Sequence, residues 1–254
     1  MSILVGGNFA SGAAVPGFTV QSSSSSMGSR IRLAKMDDGT IGLASTLHHK
    51  DYADTGQLRS ELSANSALAT WGKVFRAGWI VRLPPGWVNH GSEEGQVLLQ
   101  MHEVNAAAVS RRPAFAGELR DGVLSVILAH DDAPDGDILT TVHMVPGRDY
   151  SIWAEVRWAD GTNEPTANGY LNLYVDGALV AQRTGRNHWA TVDPNPPYLK
   201  CGVYVPDGAS PWWAGKSRTV WHRGAVMADG GESFEALQSL MKTATVSAAP
   251  QVLL

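Results

Sequence analysis

Apolar residues at every second position are the feature that most constrains this chain. The pattern returns in QLRSELS (57–63), FRAGWIVRLP (75–84), GQVLLQMHEV (95–104) and LSVILAH (124–130), then in YSIWAEVRW (150–158), YLKCGVYV (198–205) and RTVWHRGAVM (218–227). A period of two belongs to strands, because successive side chains leave a pleated backbone on opposite faces. Turn signals punctuate these runs. RIRLAKMDDGTIGLAST (30–46) reads as a hairpin about Asp38-Gly39, and GYLNLYVDGALVAQRTG (169–185) as another about Asp176-Gly177, a dipeptide suited to tight two-residue turns. One stretch near the end has a helical period: Ser233 is placed to cap FEALQSLMK, whose Phe234, Leu237, Leu240 and Met241 share a face. Many strands, short turns and one late helix predict an all-β fold, an antiparallel two-sheet β-sandwich of jelly-roll type with one short C-terminal helix.

With 254 residues, 44% of them hydrophobic, the chain can enclose one large core. Residues 1–29 are small and polar and end in SSSSSMGS, which predicts a flexible N-terminal segment. A single β-sandwich domain over 30–245 and a C-terminal tail over 246–254 complete the expected organisation. The formal net charge of −4 offers no global basic field for nucleic acid or an acidic membrane, so any polyanion must meet a local cluster of Arg and Lys. No run approaches transmembrane length, and MSILVGGNFASG lacks the basic and apolar regions of a secretory signal peptide.

Cys201 is the only cysteine, which excludes an intrachain disulfide and a zinc–cysteine site. Its place in an alternating strand predicts a buried, inert thiol. The histidines show no H-E-x-x-H or comparable spacing, so no catalytic metal is expected. HDDAPDGD (130–137) is rich in Asp but does not match the EF-hand loop. The expectation is therefore no cofactor, with a structural calcium at Asp131–Asp137 as the alternative.

Three segments place chemistry on a strand face. Arg59 and Glu61 share one side of LRSEL, Gln100 and His102 one side of LLQMHE, and Tyr198, Lys200 and Tyr204 one side of YLKCGVY. If these faces line one sheet, they suit β-elimination from a uronic acid. Removing the proton next to a carboxylate builds up negative charge, which Arg59 and Gln100 can meet with a fork and an amide. His102 has the intrinsic pKa of a base, and Tyr204 carries a phenolic proton for the departing oxygen. Depending on the sugar's stereochemistry, Tyr204 serves as acid alone or as both base and acid. Lys200 and Glu61 would orient these groups or bind neighbouring sugars, and Gly202 would let the polymer lie close to the backbone.

R-S-E-L, Q-M-H and Y-L-K-C-G-V-Y, in that order, resemble the three signatures of jelly-roll (concanavalin A-like) polysaccharide lyases, as found in alginate lyases and in heparin- and glucuronan-lyase-like enzymes. The resemblance covers residues 30–227. It implies Arg59 and Gln100 as carboxylate neutralisers, His102 as base or neutraliser, Tyr204 as acid or as base and acid, and an anionic polysaccharide as substrate. Ser63 stands where the alginate pattern has a second Arg, and Pro206 where it has Gln, departures that bear on the sugar rather than on the elimination set. A secreted or virion-associated setting goes with such a substrate.

Tyr198, Lys200 and Glu61 are expected to contact substrate, with Trp212 and Trp213 stacking on sugar rings at the cleft rim or packing on the sheet edge. Two other readings compete. A glycoside hydrolase needs paired carboxylates, and no E-x-D-x-x-E strand is present. A non-catalytic carbohydrate-binding or phage capsule-recognition module would need the aromatics and cations but not the proton-transfer groups.

Overall fold

The structure, a computed structural model, describes residues 3–8, 18–22, 31–48, 58–64, 69–89, 95–103, 111–159, 168–189, 195–206 and 217–242. Its strands are β1 (Ile3–Asn8), β2 (Phe18–Ser22), β3 (Ile31–Lys35), β4 (Ile41–His48) and β5 (Leu58–Ala64). There follow β6 (Val74–Arg82), β7 (Gln96–His102), β8 (Phe115–Arg120), β9 (Val123–His130) and β10 (Ala133–His143). The last five are β11 (Asp149–Arg157), β12 (Tyr170–Val175), β13 (Ala178–Thr184), β14 (Tyr198–Val205) and β15 (Ser217–Asp229), before helix α1 (Phe234–Lys242).

Pairing is antiparallel throughout and sorts the strands into two sheets. One runs β13-β12-β11-β6-β15-β4-β3 with β1 also paired to β15; the other runs β10-β9-β8-β7-β14-β5-β2. The described residues form a β-sandwich of jelly-roll type with one helix, the antiparallel two-sheet fold that the alternation predicted. Between the sheets lies the core, where Trp79 of β6 and Phe115 of β8 stack at 5.7 Å. A smaller apolar cluster covers the outer face of the first sheet. There Leu237 and Met241 of α1 bury against Ile80, Trp153, Val226 and Ala228. The Ser233 hydroxyl accepts the Ala236 N–H at 3.1 Å, capping the helix as its sequence indicated.

Both Asp-Gly hairpins form. Asp176 and Gly177 adopt φ of 50° and 85°, the left-handed pair of a tight hairpin turn. Four strands escape the alternation reading. β8 is interrupted by Gly117, where a Cβ would meet Leu99 at 2.8 Å. β10 begins in the turn-like APDG and has register shifts along its pairing with β9. The strands β1 and β2 fall within the segment expected to be flexible, yet they pair with β15 and β5. Sheet pairing satisfies their backbones, which composition could not foretell. The rest of the serine run and the expected 246–254 tail lie outside the described residues.

One end of the sandwich is tied by charge. Arg82 of β6, with 8% of its side chain exposed, pairs with Asp37, with Asp38 at 3.0 Å and with Asp149 at 2.7 Å. Arg223 of β15 pairs with Asp38 and, at 2.5 Å, with Asp149. The Asp38 carboxyl is held at about 2. Burial by itself would raise it, but the Thr40 hydroxyl and amide and the charges of Arg223 and Arg82 outweigh burial. Replacing Arg82 by Met leaves three carboxylates without their central cation. With those carboxylates partly hydrated, the expected loss is about 2–3 kcal/mol in denaturant unfolding at pH 7. A depressed carboxyl stabilises the fold above its ordinary value of 3.8, and that stabilisation is lost as pH falls through about 2. The stability difference between Arg82→Met and the unmodified protein therefore narrows across that window.

Candidate active site

β14 lies inside its sheet with β5 on one side and β7 on the other. On the β5 side, Tyr204 stands opposite Arg59, Gly202 opposite Glu61 and Lys200 opposite Ser63. On the β7 side, Tyr198 stands opposite His102 and Lys200 opposite Gln100. Alternation sends Leu199, Cys201 and Val203 into the core with Leu58, Leu62, Leu99 and Met101. The polar partners are left together on the other face of three adjacent strands. Arg59, Glu61, Gln100, His102, Tyr198, Lys200 and Tyr204 thus form one continuous strip, while Trp212 and Trp213 lie outside the described residues.

The strip has a buried floor and an accessible layer. Glu61, Gln100 and Lys200 are no more than 2% exposed. Glu61 binds two neighbours: its Oε1 accepts from Gln100 Nε2, and its Oε2 lies 3.3 Å from Arg59 Nε. Arg59, His102, Tyr198 and Tyr204 keep part of their surface open. The Arg59 guanidinium sits 4.3 Å from the centre of the Tyr204 ring, and the Lys200 ammonium 5.2 Å from the centre of the Tyr198 ring. Tyr198 is also the phenol next to His102, with ring centres 6.4 Å apart.

Burial sets the protonation states. It lowers Lys200, helped by Arg59 and opposed by Glu61. It raises the Tyr198 phenol, as does the charge of Glu61. His102 is pulled down to about 4, first by burial and then by the charges of Lys200 and Arg59, against a raising contribution from its bond to the Glu103 carbonyl. That bond, 2.7 Å from Nδ1, fixes the tautomer, because a carbonyl only accepts. The proton sits on Nδ1 and the lone pair on Nε2. The Cys201 thiol is buried and pushed far up, in keeping with an inert core residue.

One feature corrects the sequence reading and one extends it. The space beside Gly202 belongs to β5, not to a polymer: a Cβ there would stand 2.3 Å from the Ser60 carbonyl oxygen and 2.6 Å from Glu61 Cα. The Asp-rich turn holds a guanidinium, with Arg186 at 3.0 Å from Asp131 and 3.3 Å from Asp132. Among the described residues, no group of three or more His, Cys, Asp or Glu is arranged to hold a metal ion. Ser63 emerges as a neighbour of the site, standing opposite Lys200 where β5 pairs with β14. Only the pairing of β14 with β5 could reveal that placement.

A family model described as polysaccharide lyase matches residues 19–224. No curated protein matches the chain in sequence. Among solved structures, an endo-β-1,4-glucuronan lyase from the fungus Trichoderma reesei superposes with a TM-score of 0.65 at 16% identity, covering 90% of this chain and 96% of that one. A family 7 alginate lyase in complex with product gives 0.52 at 16% identity, covering 78% and 83%. The catalytic domain of a glycoside hydrolase family 131 protein from Coprinopsis cinerea gives 0.59 at 9%, covering 92% and 97%. At such identities these likenesses establish the fold, and a fold hosts several chemistries. The family match spans most of the sandwich and all three strands of the strip, and on it the chain belongs to the polysaccharide lyase family.

Proposed function

We propose that the protein cleaves a uronate-containing polysaccharide by β-elimination, on the strip formed by β5, β7 and β14. The observation that carries this reading is the charge balance of that strip. Within the strip, Lys200 on the buried floor and Arg59 in the accessible layer above it set two cations against the carboxylate of Glu61. A substrate carboxylate would supply the missing negative charge, and charge pairing is strong where water is excluded. Lyases of glucuronan and of alginate share the fold, and both polymers carry such carboxylates.

The elimination needs a neutraliser, a base and an acid. Arg59, the accessible cation, neutralises the uronate carboxylate and so acidifies the neighbouring C5 proton. Glu61 holds Arg59 in place, and Gln100 braces Glu61. Gln100 keeps one amide N–H beyond the one given to Glu61. His102 is the base: its imidazole is neutral at pH 7, with the lone pair on Nε2. Tyr204 donates its phenolic proton to the glycosidic O4 as the C4–O4 bond breaks. The pair of electrons from the C5–H bond becomes the C4–C5 double bond of an unsaturated uronate. The register favours a second arrangement, because it seats Tyr204 beside Arg59 and His102 beside Tyr198. There, Tyr204 must enter as the phenolate: it takes the C5 proton and passes that same proton to O4 as the C4–O4 bond breaks.

Absorbance near 235 nm, where the conjugated product absorbs, tests the reaction on alginate, glucuronan, heparin-type and hyaluronan-type polymers. Tyr204→Phe is expected to lower kcat by about 10²–10⁴-fold, the usual contribution of a proton-transfer group. His102→Asn gives a similar loss if the imidazole is the base and a small one if Tyr204 does both tasks. Polymer binding without a 235 nm product or new chain ends on any substrate would instead establish a binding module.

The pH profile carries an independent expectation. A base must be unprotonated, and His102 protonates only near 4 in the free protein. The acid limb of kcat/KM should therefore fall near pH 4 and not near 6.5. Measured from pH 3.5 to 8 on a polymer that remains ionised, an acid limb at 6.5 would remove His102 as the base.

A further inference from the structure

Two polar side chains cross the apolar interlayer to reach the main chain of β14. Trp79 of β6 donates its indole N–H to the Lys200 carbonyl at 3.0 Å. His222 of β15 places Nε2 3.1 Å from the Gly202 carbonyl. Both side chains are wholly buried. In a regular antiparallel strand the carbonyls lie in the sheet and point at neighbouring strands. A carbonyl has two lone pairs, so one that meets a donor from the opposite layer is held from outside the ladder as well.

The register shows where β14 is irregular. Between Cys201 and Tyr204 it advances three residues, while β7 advances two, from Leu99 to Val97. Gly202 lies within this bulge with φ of 148°, pressed against the β5 backbone. Such an extra residue re-aims the side chains that follow it. Here the side chain that follows on the same face is Tyr204, and the one before it is Lys200.

His222 has little other reason to be polar. Its Nε2 must carry the proton, since the Gly202 carbonyl only accepts. Its Nδ1 has no hydrogen-bond partner among the described residues. Burial holds the ring near a pKa of about 4, so it stays neutral at pH 7. An apolar side chain of similar size would avoid burying the unsatisfied Nδ1, which carries a desolvation cost. The one polar contact that explains the residue is the bond to the bulge.

We propose that His222, seconded by Trp79, is a positioning residue of the lyase reaction. It holds the Gly202 bulge from the opposite sheet, so that Tyr204 meets Arg59 while Lys200 stays opposite Gln100. The proposal rests on the elimination reading for its catalytic consequence, but the hydrogen bond itself can be tested without turnover.

Three variants and two readouts decide it. Met at 222 fills the space without a donor, and Gln offers an amide N–H at about the reach of Nε2. Trp79→Phe keeps an aromatic ring and removes the other donor. On whichever polymer the unmodified protein cleaves, and well below each variant's Tm, His222→Met should lower kcat by about 10–100-fold with KM little changed, the scale of a misplaced catalytic group. His222→Gln should restore most of that rate, and Trp79→Phe should lower kcat several-fold. In protein labelled with 13C at the glycine carbonyl, the Gly202 resonance should move in His222→Met and return in His222→Gln. Equal kcat and equal Gly202 resonances in the Met and Gln variants would overturn the proposal. If His222→Met does not fold, an unchanged kcat in Trp79→Phe overturns it. If the unmodified protein turns over no uronate polymer, the elimination reading fails alone, and the Gly202 resonance still decides whether His222 holds the bulge.

Discussion

Every feature of the site depends on the backbone pairing of β14 with β5 and β7. That pairing brings Arg59, Glu61 and Ser63 to one side of the strand and Gln100 and His102 to the other. None of these contacts is local in sequence. They exist because the opposite faces of the same strands, Leu58, Leu62, Leu99, Met101, Leu199, Cys201 and Val203, are buried in one core. A slip of one residue would turn that apolar set outward, so burial fixes the register and the register fixes the site. The ion cluster of Arg82, Arg223 and three aspartates, at one end of the sandwich, ties β6 and β15 to the turn after β3 and to β11.

Burial also grades the polar strip. A charge removed from water is costly unless it is paired and hydrogen-bonded. Glu61 is paired with Arg59 through Oε2 and hydrogen-bonded by Gln100 through Oε1. Lys200 meets that requirement less completely, which is why its ammonium is depressed. Such a floor is preorganised: its groups are already dehydrated and held before any ligand arrives. Burial, seconded by the same cations, keeps the neighbouring imidazole neutral, so one arrangement prepares both a place for an anion and a lone pair beside it.

The sequence was most informative where one local rule acted alone. Asp176-Gly177 and Asp38-Gly39 lie in turns because Asp176 and the two glycines enter the left-handed region readily, Gly39 at φ of 84° for example. Ser233 caps α1 by a bond three residues long. It was least informative where a distant partner decided. β1 and β2 have the composition of a linker and are strands because β15 and β5 offer them hydrogen bonds. Gly117 breaks the pattern of β8 because Leu99 fills its place. Gly202 has the same explanation, and the space it leaves is taken by β5 rather than by a ligand.

What the sequence determined by itself is the inventory of each strand face. Alternation is a property of the pleat, so Arg59 with Glu61, Gln100 with His102, and Tyr198 with Lys200 and Tyr204 are grouped before any fold is known. Tertiary structure decided which strands are neighbours, how deep each side chain lies, and what reaches β14 through the core. Glu61 and Arg59 look alike on paper, yet one is fully buried and the other partly open. Ser63, Trp79 and His222 gain their places only through strands far away in the chain. The pleat repeats every two residues and is written locally, whereas pairing and depth follow from how two whole sheets close on a common core.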